Sequence, residues 1–267
     1  MKRRLVRMAT AATLSLSIVL TGTAQPAQAI DPVTTAQVIV AAVKAYEAWK
    51  SGQSTDKVLG AINEAKVAIM AHADALAAAD AKACTRHAVI EAEDAATFSP
   101  DVLATWAQQV TGCVTLIDSL LNAVTDKGTI NELGFALGTV GPIALATRKQ
   151  AGLSTAGVQA ILIGSHTTVK TRAAPACYNS THVYFHRVAG DGVWTAQYHW
   201  GCTGADGTAV ANDVYKNLDF WPSTDEEAFR WAAEHAPAID MPAIEAKVGN
   251  NTSWKLAKQV LPVLQAA

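Results

Sequence analysis

The stretch that most constrains this chain is residues 56–97, which hold no proline and, in Gly60, a single glycine near the start. Alanine recurs throughout it, at Ala61, Ala65, Ala68, Ala71, Ala73, Ala75, Ala77, Ala78, Ala79, Ala81 and Ala83. Alanine is the best intrinsic helix former. The stretch therefore predicts one long helix, roughly 63 Å at about 1.5 Å per residue. Ser99-Pro100-Asp101 then reads as a new helix start: a capping hydroxyl, proline at the first helical position, and an acid at the positive end of the dipole. Cys84 lies 15 residues before Ser99 and Cys113 lies 14 after it. Near-equal arms about a tight corner bring both cysteines level. The expectation is a disulfide-stapled helical hairpin on which the other elements pack.

Upstream, Lys2, Arg3, Arg4 and Arg7 precede the uncharged apolar run 9–20, and Ala27-Gln28-Ala29 supplies a small-x-small cleavage site. That order predicts a signal peptide over residues 1–29 and a mature protein beginning at Ile30. The apolar run is shorter than the roughly 20 residues a membrane span needs. The gross features suit a bacterial, secreted protein. The chain has 21 basic and 23 acidic residues, and loss of the leader's four basic ones leaves a formal charge of −6. A mildly acidic chain without a basic block is poorly suited to nucleic acid. All four cysteines lie in the exported part, where oxidation is favoured.

Asp31-Pro32 opens a first helix that stops at Gly52. Ile62, Ile69, Leu76, Ala83 and Ile90 recur every seventh residue, with small residues between them, a pattern for close antiparallel packing. The return helix is expected to run from Ser99 to Asp126 and to stop at Lys127-Gly128. Thr129 and Glu132 then read as a capping box. Residues 133–147 carry no charge and include Gly134, Gly138, Gly141 and Pro142. Such glycines inside an apolar helix pattern point to close helix packing. A concealed apolar segment in an exported helical protein resembles, in broad plan, helical pore-forming toxins, which would imply membrane insertion. Fifteen residues, however, suit a buried core helix better than a membrane element.

Beyond residues 171–175 the character changes, and five of the seven tryptophans follow. Residues 181–187 and 193–200 alternate as two strands around Ala189-Gly190-Asp191-Gly192. One face carries Val183, Phe185, Trp194, Ala196, Tyr198 and Trp200. The other carries His182, Tyr184, His186, Thr195, Gln197 and His199. Pairing 188 with 193 sets His182 directly opposite His199, close enough to share a metal. It also brings Cys177 about level with Cys202. A second capping box, Ser223 with Glu226, starts a helix over 225–235, and Asn251-Thr252 starts a last one.

Catalytic signatures are missing. There is no G-x-S-x-G elbow, no H-E-x-x-H, and no phosphate-cradling glycine loop. Ser165-His166 and Glu234-His235 are merely adjacent. His87 and Glu91 are four apart without the further carboxylates that bundle metal sites need. Asp206, Asn212, Asp213, Asn217 and Asp219 do not follow calcium-loop spacing and read as turn and cap residues.

The fold expected is mostly α, with some β. Residues 30–172 form an antiparallel helical bundle built on the stapled hairpin. Residues 173–267 form a small α+β domain with a β-hairpin and short helices. The expected disulfides are Cys84–Cys113 and Cys177–Cys202. The expected function is a secreted, non-enzymatic protein that binds an unknown extracellular partner, with no cofactor. His182, Tyr184, His186 and His199 are the candidate ligand-binding residues, and His182 with His199 the candidate metal ligands. The alternatives are a secreted hydrolase or metal-dependent enzyme with a site at the domain junction, and membrane insertion.

Overall fold

The computed structural model describes residues 31–188 and 191–267, and side chains outside 186–191. The expected signal peptide and the expected cut before Ile30 lie outside the described residues, as do Ala189 and Gly190 of the hairpin connection. The described chain is mostly helical, with one three-stranded antiparallel sheet.

The helices are α1 (Pro32–Lys50), α2 (Thr55–Asn63), α3 (Lys66–Ala75), α4 (Ala79–Asp94), α5 (Pro100–Ala123), α6 (Lys127–Gln150) and α7 (Ala156–Arg172). After the strands β1 (Ala176–Val188), β2 (Asp191–Thr203) and β3 (Ala209–Asn217) come α8 (Asp225–Glu234), α9 (Met241–Gly249) and α10 (Ser253–Gln265). α6 is the centre. From Ile130 to Thr147 every residue except Glu132 is buried, and α6 touches α1, α2, α3, α4, α5, α7 and α10. Close approach explains its glycines: a Cβ on Gly138 would meet Leu256 of α10, and one on Gly141 would meet the Tyr46 hydroxyl of α1. α10 comes from the far end of the chain, yet Trp254, Leu256, Val260 and Leu264 join this helical core.

The single long helix expected over 56–97 is not formed. It is three α-helices and a terminal 3-10 turn (Ala95–Thr97), with breaks at Glu64-Ala65 and at 76–78, where Leu76 and Ala78 are extended at ψ 123° and 103°. The physical reason is tertiary. A straight rod of roughly 63 Å would overrun α6, about 36 Å long. At the second break Leu76 turns into the core, and the Ala77 N–H donates to the Glu132 carboxylate of α6 at 3.3 Å. Burial and a capped N–H outweigh alanine propensity, worth only tenths of a kcal/mol per residue.

Ser99 caps α5 by accepting from the Val102 N–H at 3.4 Å. α5 ends at Ala123, short of Asp126, and Lys127-Gly128 starts the next helix instead of stopping the last. The N-cap of α6 is Asp126, not Thr129. Its carboxylate accepts from both the N–H and the hydroxyl of Thr129, at 2.7 and 2.9 Å. A carboxylate taking two donors displaces the expected hydroxyl cap. Before α8 the capping box is shifted by one: Thr224 accepts from the Glu227 N–H, while Glu227 accepts from the N–H and hydroxyl of Ser223.

The sheet runs β1-β2-β3. β3 was not expected, because Asn212, Asp213 and Asn217 are poor strand formers. It forms on the alternation of Val210 and Val214 against Ala211, Asp213 and Tyr215. The β1–β2 register also differs from the expected one: Val188 pairs with Asp191, not Val193. The connection is thus two residues long, the length whose twist suits a hairpin best. A shift of two keeps every side chain on its face but changes every partner. One face packs on α8 and α9, where Ala196, Tyr198 and Ala232 form a small second core with Val183, Val214, Leu218 and Trp231. The Tyr198 hydroxyl donates to the Ala232 carbonyl at 2.8 Å. Cys84 is bonded to Cys113 and Cys177 to Cys202, with Cα separations of 5.6 and 4.0 Å.

Candidate functional site: the open face of the sheet

The face of the sheet away from α8 and α9 is built of rungs, each with one residue per strand. From the disulfide end they are Tyr178–Gly201–Ala211, Ser180–His199–Asp213, His182–Gln197–Tyr215 and Tyr184–Thr195–Asn217. Directly opposed side chains in such rungs have Cβ atoms about 4.5–5.5 Å apart.

His182 therefore stands opposite Gln197, and His199 opposite Ser180. The two histidines are diagonal neighbours, about 7–8 Å apart by sheet geometry, and not the directly opposed pair expected. His182 is exposed and Tyr184 is exposed beside Thr195. His186 pairs with Val193 on the same strand face, and its side chain lies outside the described residues. Among the described residues no cluster of three or more His, Cys, Asp or Glu side chains could hold a metal.

The register instead joins residues from three strands. His199 Nδ1 lies 2.6 Å from Asp213 Oδ1. Gln197 Nε2 donates to the same carboxylate oxygen at 3.3 Å and to the Tyr215 hydroxyl at 3.2 Å. The hydrogen bond from His199 is the largest cause holding the Asp213 carboxyl below its ordinary pKa, with Gln197 adding to it. A carboxylate at Nδ1 fixes the imidazole so that Nε2 is the nitrogen that meets a ligand. The Tyr178 ring lies against His199 with centroids 5.0 Å apart. It can lie there because residue 201 is glycine: a Cβ on Gly201 would come within 2.7 Å of the Tyr178 hydroxyl. Tyr178 and Tyr215 remain 43% and 56% exposed, so their rings are presented to solvent. Of this set, sequence reasoning missed Tyr178, Asp213 and Tyr215, because without β3 and the correct register they had no common face.

The other singled-out pairs have local partners. Ser165 and His166 diverge on α7: the Ser165 hydroxyl donates to Asp118 at 2.6 Å, while His166 Nε2 sits 3.3 Å from the Tyr46 hydroxyl in the helical core. Burial pushes the His166 pKa down to about 3 and raises that of Tyr46. His72, between Thr35 and Phe135, is lowered by burial to about 4. His235 stacks on Trp231. His87 meets Gln109 at 3.3 Å and Glu91 at 4.0 Å. Asp219 accepts from the Trp231 indole at 3.0 Å. Among the described residues, α6 alone is long and apolar enough to cross a membrane, and 89% of its most apolar window is buried inside the protein.

No family model, curated protein or solved structure matches this chain.

Proposed function

We propose that this chain is a secreted, non-enzymatic binding protein that holds a polar extracellular ligand on the open face of its sheet. The observation that carries the reading is the exposed Tyr178–His199–Asp213–Gln197–Tyr215 network, oriented by its own hydrogen bonds. Exposed aromatic rings offer contact area at low entropic cost, and His199 Nε2 and the tyrosine hydroxyls offer both donors and acceptors. The helical body, taken as an antiparallel bundle on the Cys84–Cys113 staple, serves as support. Two disulfides are compatible with an oxidising compartment. Sequencing of secreted material should find Ile30 at the N-terminus; a start before residue 20 contradicts the leader assignment.

Amide spectra of the mature protein, titrated with soluble oligosaccharides and separately with zinc at pH 7.5, test the binding surface. The expected shifts cluster on Tyr178, His182, Gln197, His199 and Tyr215, and vanish in His199→Ala. Shifts confined to other surfaces, or none with any ligand, count against it.

One specific observation favours a second reading, a hydrolase. Ser180, His199 and Asp213 form a single rung, and the His199–Asp213 bond uses the nitrogen that a serine–histidine–carboxylate triad uses. Turnover of 4-nitrophenyl acetate that disappears in Ser180→Ala would establish this reading. Equal rates in parent and variant would dismiss it.

A further inference from the structure

A second feature of the sheet stands apart from the open face. On the opposite side, near the hairpin tip, β1, β2 and α8 enclose a groove of about 240 Å³. Val183, Tyr184 and Trp194 line it from the strands, Phe185 and Phe229 are aromatic walls, and Ala228 and Asp225 complete the lining from α8. Phe185 packs on Trp194 at 5.6 Å with planes at 47°, and on Trp221 at 5.2 Å and 66°. Tilted rings leave parts of their negative faces turned toward solvent. Phe185, Phe229 and Trp221 are 40%, 49% and 65% exposed. Three large aromatics left out of the core at one place mark a contact surface.

Among the described residues, the charge beside the groove is mainly acidic. The first turn of α8 is Asp225-Glu226-Glu227. Glu227 is engaged by the N–H and hydroxyl of Ser223, which leaves Asp225 as the carboxylate on the groove. Among the described lining residues none is basic. Arg230, on the outer part of the same helix, acts on Glu227. The N-terminus of α8 contributes a partial positive charge of roughly half a unit, which its three acids exceed. Aromatic faces beside a carboxylate attract a cation within about 6 Å of the ring centroids. A weakly hydrated cation gains most, because leaving water costs it least.

We propose that this groove binds a small organic cation bearing a quaternary ammonium group, held between Phe185, Trp194 and Phe229 with Asp225 as counter-charge. The cation is free in solution and not the headgroup of a bilayer: the acids beside the aromatics oppose an anionic membrane surface, and the groove admits one headgroup-sized group. This site is distinct from the His199 network, none of whose residues lines it, and shares only Tyr184 with the open face.

The test is calorimetric titration of the mature protein with choline chloride at constant ionic strength. The neutral isostere 3,3-dimethylbutan-1-ol and phosphatidylcholine vesicles run in parallel. The expected result is saturable choline binding with a Kd of the order of 1 mM, and binding of the isostere at least about fivefold weaker. Phe229→Ala and Asp225→Asn should each weaken choline by about threefold or more. Both side chains are exposed, so the variants keep the parental circular dichroism. His199→Ala should bind choline as the parent does, which separates this site from the open face. Saturation by the alcohol equal to that by choline, binding to vesicles without binding to free choline, or no heat up to about 50 mM choline, far above the expected Kd, would overturn the proposal.

Discussion

The helical body and the sheet solve the problem of stability in opposite ways. The body surrounds one apolar helix, α6, on every side and tolerates two neutral histidines in the process. The sheet has a core of only Ala196, Tyr198 and Ala232 with four partly buried neighbours, plus a disulfide at its base. It leaves Tyr178, Tyr184, Phe185 and Tyr215 exposed. A smaller folded unit buries a smaller fraction of its surface, so the covalent link matters more where the core is small. The lesson is a division of labour: stability resides around α6, and accessible chemistry resides on the strands.

The largest expected effect is in the body. Leu137 is fully buried on α6, and Leu137→Ala should cost about 2–5 kcal/mol in denaturant unfolding. An equal loss from Tyr198→Phe in the sheet, where about 1 kcal/mol is expected for one hydrogen bond, would break the comparison.

Next is the sheet's disulfide, whose closed loop spans a separation of 25 residues. Cys177→Ser with Cys202→Ser should cost roughly 3.5 kcal/mol in the chain-entropy account. Protection from hydrogen exchange should be lost in β1 to β3 and kept in α6.

Acid sharpens the contrast in the other direction. His166 has a folded pKa of about 3, below the unfolded value of about 6.5. The unfolded chain binds the extra proton between those values, so stability is complete above pH 6.5 and falls as pH drops toward 3. At pH 5 the loss from His166 alone is about 2 kcal/mol, and His72 adds in the same direction down to about 4. Urea unfolding at pH 7.5 and 5.0 reads this, and His166→Phe should flatten the slope by about one proton. The hydrogen bonds that lower Asp213 and Glu227 matter only nearer the carboxylate range.

The smallest effect belongs to the open face. Tyr215→Ala should change stability by no more than about 0.5 kcal/mol, because the ring is mostly exposed.

How much of this was legible in the sequence depended on whether a signal was local. Helix starts such as Ser99-Pro100 and strand alternation are local, and face membership survived because a register error of two preserves parity. The breaks at Ala65 and 76–78 were not legible. The second depends on Glu132, more than fifty residues away in sequence, accepting the Ala77 N–H. The placement of α10 depends on Gly138 making room for Leu256, which no periodicity within α10 announces. The candidate site suffered most: His199 was visible, but Asp213 and Tyr215 lay in a stretch whose Asn and Asp content hid β3.

Native-state hydrogen exchange along a shallow denaturant series tests the division of labour most directly. The account predicts that amides 133–147 of α6 exchange only through global unfolding, while those of β3 open through a separate event of lower free energy. Exchange of β3 and α6 at one common free energy, or earlier opening of α6, would contradict it.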